Sequence, residues 1–91
     1  SRRTKHYSYL TRSYLYLNDL PNAKQSLKKI KYREEKQLLR LTLIKISSYG
    51  EEPKFNKNNI DKIIMDRRYV IDRNKSNIIA MAKNQVSNFG E

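Results

Sequence analysis

The run from Pro21 to Tyr49, PNAKQSLKKIKYREEKQLLRLTLIKISSY, constrains the fold more than any other stretch of the chain. Placed at about 100° per residue, Ala23, Leu27, Ile30, Leu38 and Leu41 share one stripe. Tyr32, Leu39, Leu43 and Ile46 form a second, nearly opposite. A surface helix carries one apolar stripe, and a helix with two is covered on both sides. The spacing therefore predicts a central helix over 21–47, buried on both faces toward its C-terminal end. Pro21 suits the first helical turn, where its missing N–H is not needed, and it pushes Leu20 out of the α region. Gly50 offers a left-handed stop, reinforced by Pro53. The strict alternation Leu39-Arg40-Leu41-Thr42-Leu43 also fits a strand over 39–46, which stays open as the competing reading.

Cations are patterned on the same run. Lys29, Arg33, Lys36 and Arg40 recur at helical spacing as one ridge between the stripes, and Lys24, Lys28 and Lys31 form another. Like-charged ridges repel and gain little from pairing within a helix, so this pattern points to an anionic partner laid along it. The wider charge distribution agrees. Across 91 residues the formal net charge is +11, and residues 1–33 hold nine Lys or Arg against one acid, Asp19. Residues 34–66 hold six of each, and 67–91 hold five bases and two acids. Such asymmetry describes a sided electrostatic footprint.

The inventory narrows the chemistry. With no cysteine there are no disulfides, thiolate nucleophiles or cysteine-based zinc sites. The single histidine, His6, lies in the basic N-terminal segment, and two glycines cannot form a phosphate cradle. The adjacent Glu51 and Glu52 read as loop charges, because no base or metal ligand accompanies them. The expectation is a non-enzymatic protein without metal or cofactor. No apolar run approaches the roughly 20 residues of a membrane span. An intracellular setting is expected, whether nuclear, mitochondrial or cytoplasmic. The acid-free, Arg-, Ser- and Tyr-containing N-terminus resembles a mitochondrial transit segment. Ser1 in place of an initiator Met is expected of a processed chain or of part of a larger one.

Taken in order, residues 1–6 read as a flexible basic arm and 7–91 as a single helical domain. Tyr7, Leu10, Tyr14 and Leu17 predict a helix over 7–19, with Tyr9, Tyr16 and Leu20 on a second stripe. Five of the seven tyrosines lie in 7–32 among the cations. Tyr7 and Tyr14 are expected in the core, and Tyr9 and Tyr16 are candidates for base stacking. The turn Asn18–Asn22 makes 7–47 a helical hairpin. With Tyr7, Leu10 and Tyr14 on one helix and Ala23, Leu27 and Ile30 on the next, this third of the chain resembles a tetratricopeptide repeat. It departs from that pattern at Thr11 and Ile30, where the family carries small residues, and no second repeat follows. The resemblance implies a helical hairpin.

A loop over 48–57 precedes C-terminal helices within 58–89. Asn58 or Asn59 is placed to cap the first, with Asp61 in its opening turn. Ile60, Ile63, Ile64, Val70 and Ile71 give an apolar face to 59–72, and Ile78, Ala82, Val86 and Phe89 give one to 76–89. Gln85–Phe89 is similar to the start of a homeodomain recognition helix but lacks that family's Arg-rich tail, and no function follows from it. Glu34 and Arg67 each interrupt an apolar stripe, and a pair between them would satisfy both. The expected core is Leu27, Ile30, Leu38, Leu41, Ile63, Ile64, Ile71 and Ile78.

These features describe an all-α bundle of three to four helices with a basic N-terminal arm. The leading functional expectation is a nucleic-acid-binding domain, RNA preferred over DNA, of the structural or ribonucleoprotein type. Its backbone contacts would come from Arg2, Arg3, Lys5, Arg12, Lys24, Lys28, Lys29, Lys31, Arg33, Lys36 and Arg40. The alternative is a helical protein-interaction module, part of a repeat-type or multi-subunit assembly, docking an acidic protein surface. A membrane-surface role ranks below both, because no helix sets one apolar face opposite its basic one.

Overall fold

A computed structural model describes residues 6–50 and 54–89, with side chains described as far as Met81. It contains four helices, α1 (Tyr7–Tyr16), α2 (Leu20–Lys28), α3 (Arg33–Ser47) and α4 (Lys57–Phe89), and no strand among the described residues. The expected arm residues Arg2, Arg3 and Lys5, and the loop pair Glu51 and Glu52, lie outside the described residues.

The start of α2 follows its sequence signals in part: Leu20, expected outside the α region because it precedes Pro21, is the first residue of the helix. Asp19 accepts from the Asn22 N–H, and Pro21 sits in the first turn of α2. Asn18 takes φ of 59°, a left-handed value that asparagine tolerates, to close the α1–α2 turn. Its side chain then reaches across the molecule. Asn18 Nδ2 donates to the Phe55 carbonyl at 3.0 Å, and the Phe55 N–H donates back to Asn18 Oδ1 at 3.1 Å. This reciprocal pair fixes the approach to α4. Asn56, rather than Asn58 or Asn59, caps α4, accepting from the Asn59 N–H at 2.8 Å. The Asn59 side chain accepts from the Asn56 N–H in return. Gly50, at φ 89°, takes the left-handed conformation expected where α3 ends.

The expected central helix over 21–47 is two helices. The chain leaves α2 through short-range bonds, Lys29 N–H to the Ser26 carbonyl and Ile30 N–H to the Leu27 carbonyl. Tyr32 is extended, with ψ 115°, and α3 begins after it. No glycine or proline marks this break. Its cause lies in the two stripes: one straight helix would point them in opposite directions. Breaking at 29–32 turns Ala23, Leu27 and Ile30 from one segment and Leu38, Leu39, Leu43 and Ile46 from the other into a common core. Lys36 Nζ donates to the Lys28 carbonyl at 3.2 Å and satisfies the frayed end of α2. The strand alternative over 39–46 is excluded, because that segment lies within α3.

Leu15, Ile60 and Ile64 complete the core, with Tyr7, Tyr14, Tyr16, Phe55, Ile63 and Ile71 packed at its margin. At the α1–α2 crossing Thr11 is fully buried. Its Oγ1 donates to the Tyr7 carbonyl and lies 2.7 Å from Ser26 Oγ. Ser26, also buried, faces Thr11 from α2. Leu41 is only half-buried, at the solvent edge of α3.

The two expected C-terminal helices are one. At 33 residues α4 is about 50 Å long, over twice the length of α3. The Cα radius of gyration is 16.8 Å, against about 12 Å for a compact domain of this length, because α4 runs past the bundle. Ile78 continues the Ile60–Ile64–Ile71 stripe but lies beyond the other helices and is 66% exposed, so it is not a core residue. The expected Glu34–Arg67 pair is also absent. Glu34 sits at the exposed start of α3 and binds Lys75 Nζ at 2.7 Å, while Arg67 keeps a buried Nε without a hydrogen-bond partner.

Candidate nucleic-acid interface

The break before α3 relocates the cations expected on one ridge. Lys29 leaves the ridge for the turn, where its ammonium sits 5.6 Å from the centre of the Tyr7 ring. Arg33, Lys36 and Arg40 remain on α3, Arg33 and Arg40 spanning about 10 Å of helix rather than the roughly 16 Å of an unbroken ridge. They line a shallow groove with Gln37, Leu41 and Ile44. Lys24 and Lys28 are exposed on α2, and Lys31 is exposed in the turn. Among the described residues no carboxylate pairs with Lys24, Lys28, Lys31, Arg33 or Arg40.

Two of the expected contacts are held by the fold itself. Arg12 bonds Glu35 through both Nε and Nη2, the latter at 2.6 Å, with the two side chains only 25% and 24% exposed. Lys36 is occupied at the Lys28 carbonyl. Tyr16 is likewise unsuited to stacking. Its hydroxyl donates to Asp61 and its ring packs on the core, with the Lys57 ammonium 5.4 Å from the ring centre. Burial, then the bond to Asp61, holds the Tyr16 phenol above its ordinary value of 10.0.

Tyr9 is different. It is 68% exposed at the mouth of an open cleft of about 600 Å³, lined by Ser8, Tyr9, Arg12, Tyr32, Arg33, Glu34, Glu35 and Arg68. The cleft lies between the start of α1, the α2–α3 turn and the middle of α4. Tyr32, 77% exposed, is a second aromatic ring at its edge. Glu35 holds Arg12 and also faces Arg68 at 3.7 Å. Glu34 is drawn outward by Lys75, whose hydrogen bond and charge hold the Glu34 carboxyl below its usual 4.5. Arg33 lines both this cleft and the α3 groove, so the two form one continuous surface.

Sequence periodicity assigned Tyr32 to a buried stripe and gave Arg68, Ser8 and Gln37 no role. Tyr32 reaches the cleft from the break at 29–32 and Arg68 from α4 beside Glu35, while Ser8 on α1 lines the cleft and Gln37 on α3 the groove. Among the described residues no group of three or more His, Asp or Glu side chains is arranged to hold a metal ion. No helix there is long and apolar enough to cross a membrane. Comparison of the chain with protein-family models, with curated proteins and with solved structures finds no match.

Proposed function

We propose that this chain is a non-enzymatic nucleic-acid-binding domain that holds a phosphate backbone on the outer surface of α3 and the α2–α3 turn. The observation that supports the reading most is the run of exposed cations Lys28, Lys31, Arg33 and Arg40, joined through Arg33 to a cleft bearing two exposed tyrosines. Unpaired, exposed cations bind phosphates by counterion release, and exposed aromatics beside arginine favour single-stranded over duplex ligands. Because unpaired loops and bulges are characteristic of RNA, RNA is preferred over DNA, in a structural or ribonucleoprotein-type component.

The test is anisotropy of a labelled single-stranded RNA across about 50–200 mM salt. Changing Lys31, Arg33 and Arg40 together to Gln removes three charges from exposed positions and keeps the helix formers of α3. With about 0.7 of a log unit per contact at 0.1 M salt, affinity should fall roughly a hundredfold and the salt slope by about two. Wild-type affinity and slope in that variant would remove the reading.

One feature supports a protein-interaction role in addition. The apolar stripe of α4 continues past the bundle at Ile78, which is exposed, with Lys75 one turn before it, and this suits a partly apolar partner able to draw Lys75 from Glu34. Such a partner would bind the end of α4 and leave the α3 surface open. The Lys31, Arg33 and Arg40 variant would then keep it, whereas Ile78→Asp would lose it.

A further inference from the structure

We propose that the cleft between α1, the α2–α3 turn and α4 receives one unpaired nucleobase of a bound strand, stacked on Tyr9 and Tyr32. The inference rests on the nucleic-acid reading above and gives it a ligand class, single-stranded nucleic acid with a base turned away from its neighbours.

Three observations carry it. First, Tyr9 and Tyr32 expose most of their surface although neither belongs to an apolar contact that would bury it, and both line the same cleft. An exposed ring is a platform for any base, because every base has a π-face. The His6 ring meets Tyr9 edge-on at 5.7 Å between centres, which braces the ring from the side of the chain terminus. Second, the cleft is chemically mixed. Arg12, Arg33 and Arg68 face Glu34 and Glu35, so a phosphate entering fully would meet two carboxylates. A base carries no charge, offers amino and ring N–H groups to a carboxylate, and presents a plane on which guanidinium groups also stack. Glu35 is occupied by its two arginines; Glu34, exposed at the rim, holds Lys75 through Oε1, and its other oxygen is the acceptor for a base edge. Third, the cleft opens at Arg33 onto the α3 groove with Arg40. A strand whose base enters the cleft therefore meets cations where its adjoining phosphates leave it. The volume, about 600 Å³, lies within the usual range of small-ligand sites.

The test compares a single-stranded RNA with a blunt duplex of the same sequence, against the wild-type chain and the variants Tyr9→Ala, Tyr32→Ala and Tyr9→Phe. Each alanine variant should weaken single-strand binding by roughly five- to a hundredfold and leave duplex binding and both salt slopes unchanged, while Tyr9→Phe retains wild-type affinity. A strand carrying the fluorescent base 2-aminopurine should lose emission on binding the wild-type chain, a reading that needs no variant. Both alanine variants matching wild type with unchanged 2-aminopurine emission would overturn the stacking site while the backbone reading stands. Equal losses on strand and duplex would also overturn it, because stacking requires an unpaired base. If the wild-type chain binds neither strand nor duplex at low salt, the nucleic-acid reading itself fails.

Discussion

Replacing Glu35 by Gln separates the stability of the bundle from the charge of its surface. Glu35 is the carboxylate between Arg12 at 2.6 Å and Arg68 at 3.7 Å. At a charge separation of about 4 Å and an effective dielectric near 20, the attraction to Arg12 is roughly 4 kcal/mol before desolvation. Taking charges out of water offsets much of that. Exposed pairs contribute about 0.2–1 kcal/mol, and breaking a buried pair costs about 3–5. With both side chains three-quarters covered, the pair lies between these limits, and Gln keeps one acceptor oxygen for the guanidinium. Arg68 is 57% exposed and adds little. The expected loss is about 1–2 kcal/mol, a fall in melting temperature of roughly 5–15 °C for a domain of this size. The same substitution frees Arg68 for phosphate and leaves Arg12 hydrogen-bonded but no longer neutralised. One added contact raises single-strand affinity about fivefold at 0.1 M salt and steepens the salt slope by about 0.7. Glu35→Gln should therefore melt earlier yet bind RNA more tightly, read by circular dichroism at 222 nm and by anisotropy. Glu34→Gln, at an exposed carboxylate paired only with the half-exposed Lys75, is the control and should shift the melt little. An unchanged melt, or weaker RNA binding, would refute the view that Glu35 is a structural anion that masks two arginines.

Leu39→Ala, at a fully buried position, should cost about 2–5 kcal/mol in chemical denaturation, whereas Ile78→Ala should stay within about 0.5 because Ile78 lies outside the core. Arg67→Met removes the unpartnered buried Nε and keeps the aliphatic stem, so stability should rise by about 1 kcal/mol in the same assay. Tyr16 is held above its ordinary value of 10.0 by burial and by its bond to Asp61, so its contribution is fully present below pH 10. That contribution is lost as pH rises from 10 through the higher native value. Tyr16→Phe should flatten this alkaline loss of stability in melts taken across pH 9–11.5.

The all-α class, the place of the α1–α2 turn, the loop before α4 and part of the core (Leu27, Ile30, Leu38 and Ile64) were legible in the sequence, because each rests on local rules. The fully buried Leu15, by contrast, lay on neither expected stripe of 7–20, and Leu17, which did, is exposed. Helical spacing fixes which faces are apolar, and Asp19 with Pro21 starts α2 without reference to the rest of the chain. The sidedness of the charge was legible for the same reason: Lys28, Lys31, Arg33 and Arg40 are exposed wherever the helices end. The tertiary structure decided three matters that no local rule contains. It broke the 21–47 run at 29–32, where propensity alone favours continuation, because two opposed stripes cannot reach one core from a straight helix. It turned Arg12 from a free cation into the partner of Glu35, a residue 23 positions away. It also left Tyr32 and Ile78 in solvent although both continue apolar stripes. A stripe records which side of a helix is apolar; only the arrangement of the neighbouring helices determines how much of that side has anything to pack against.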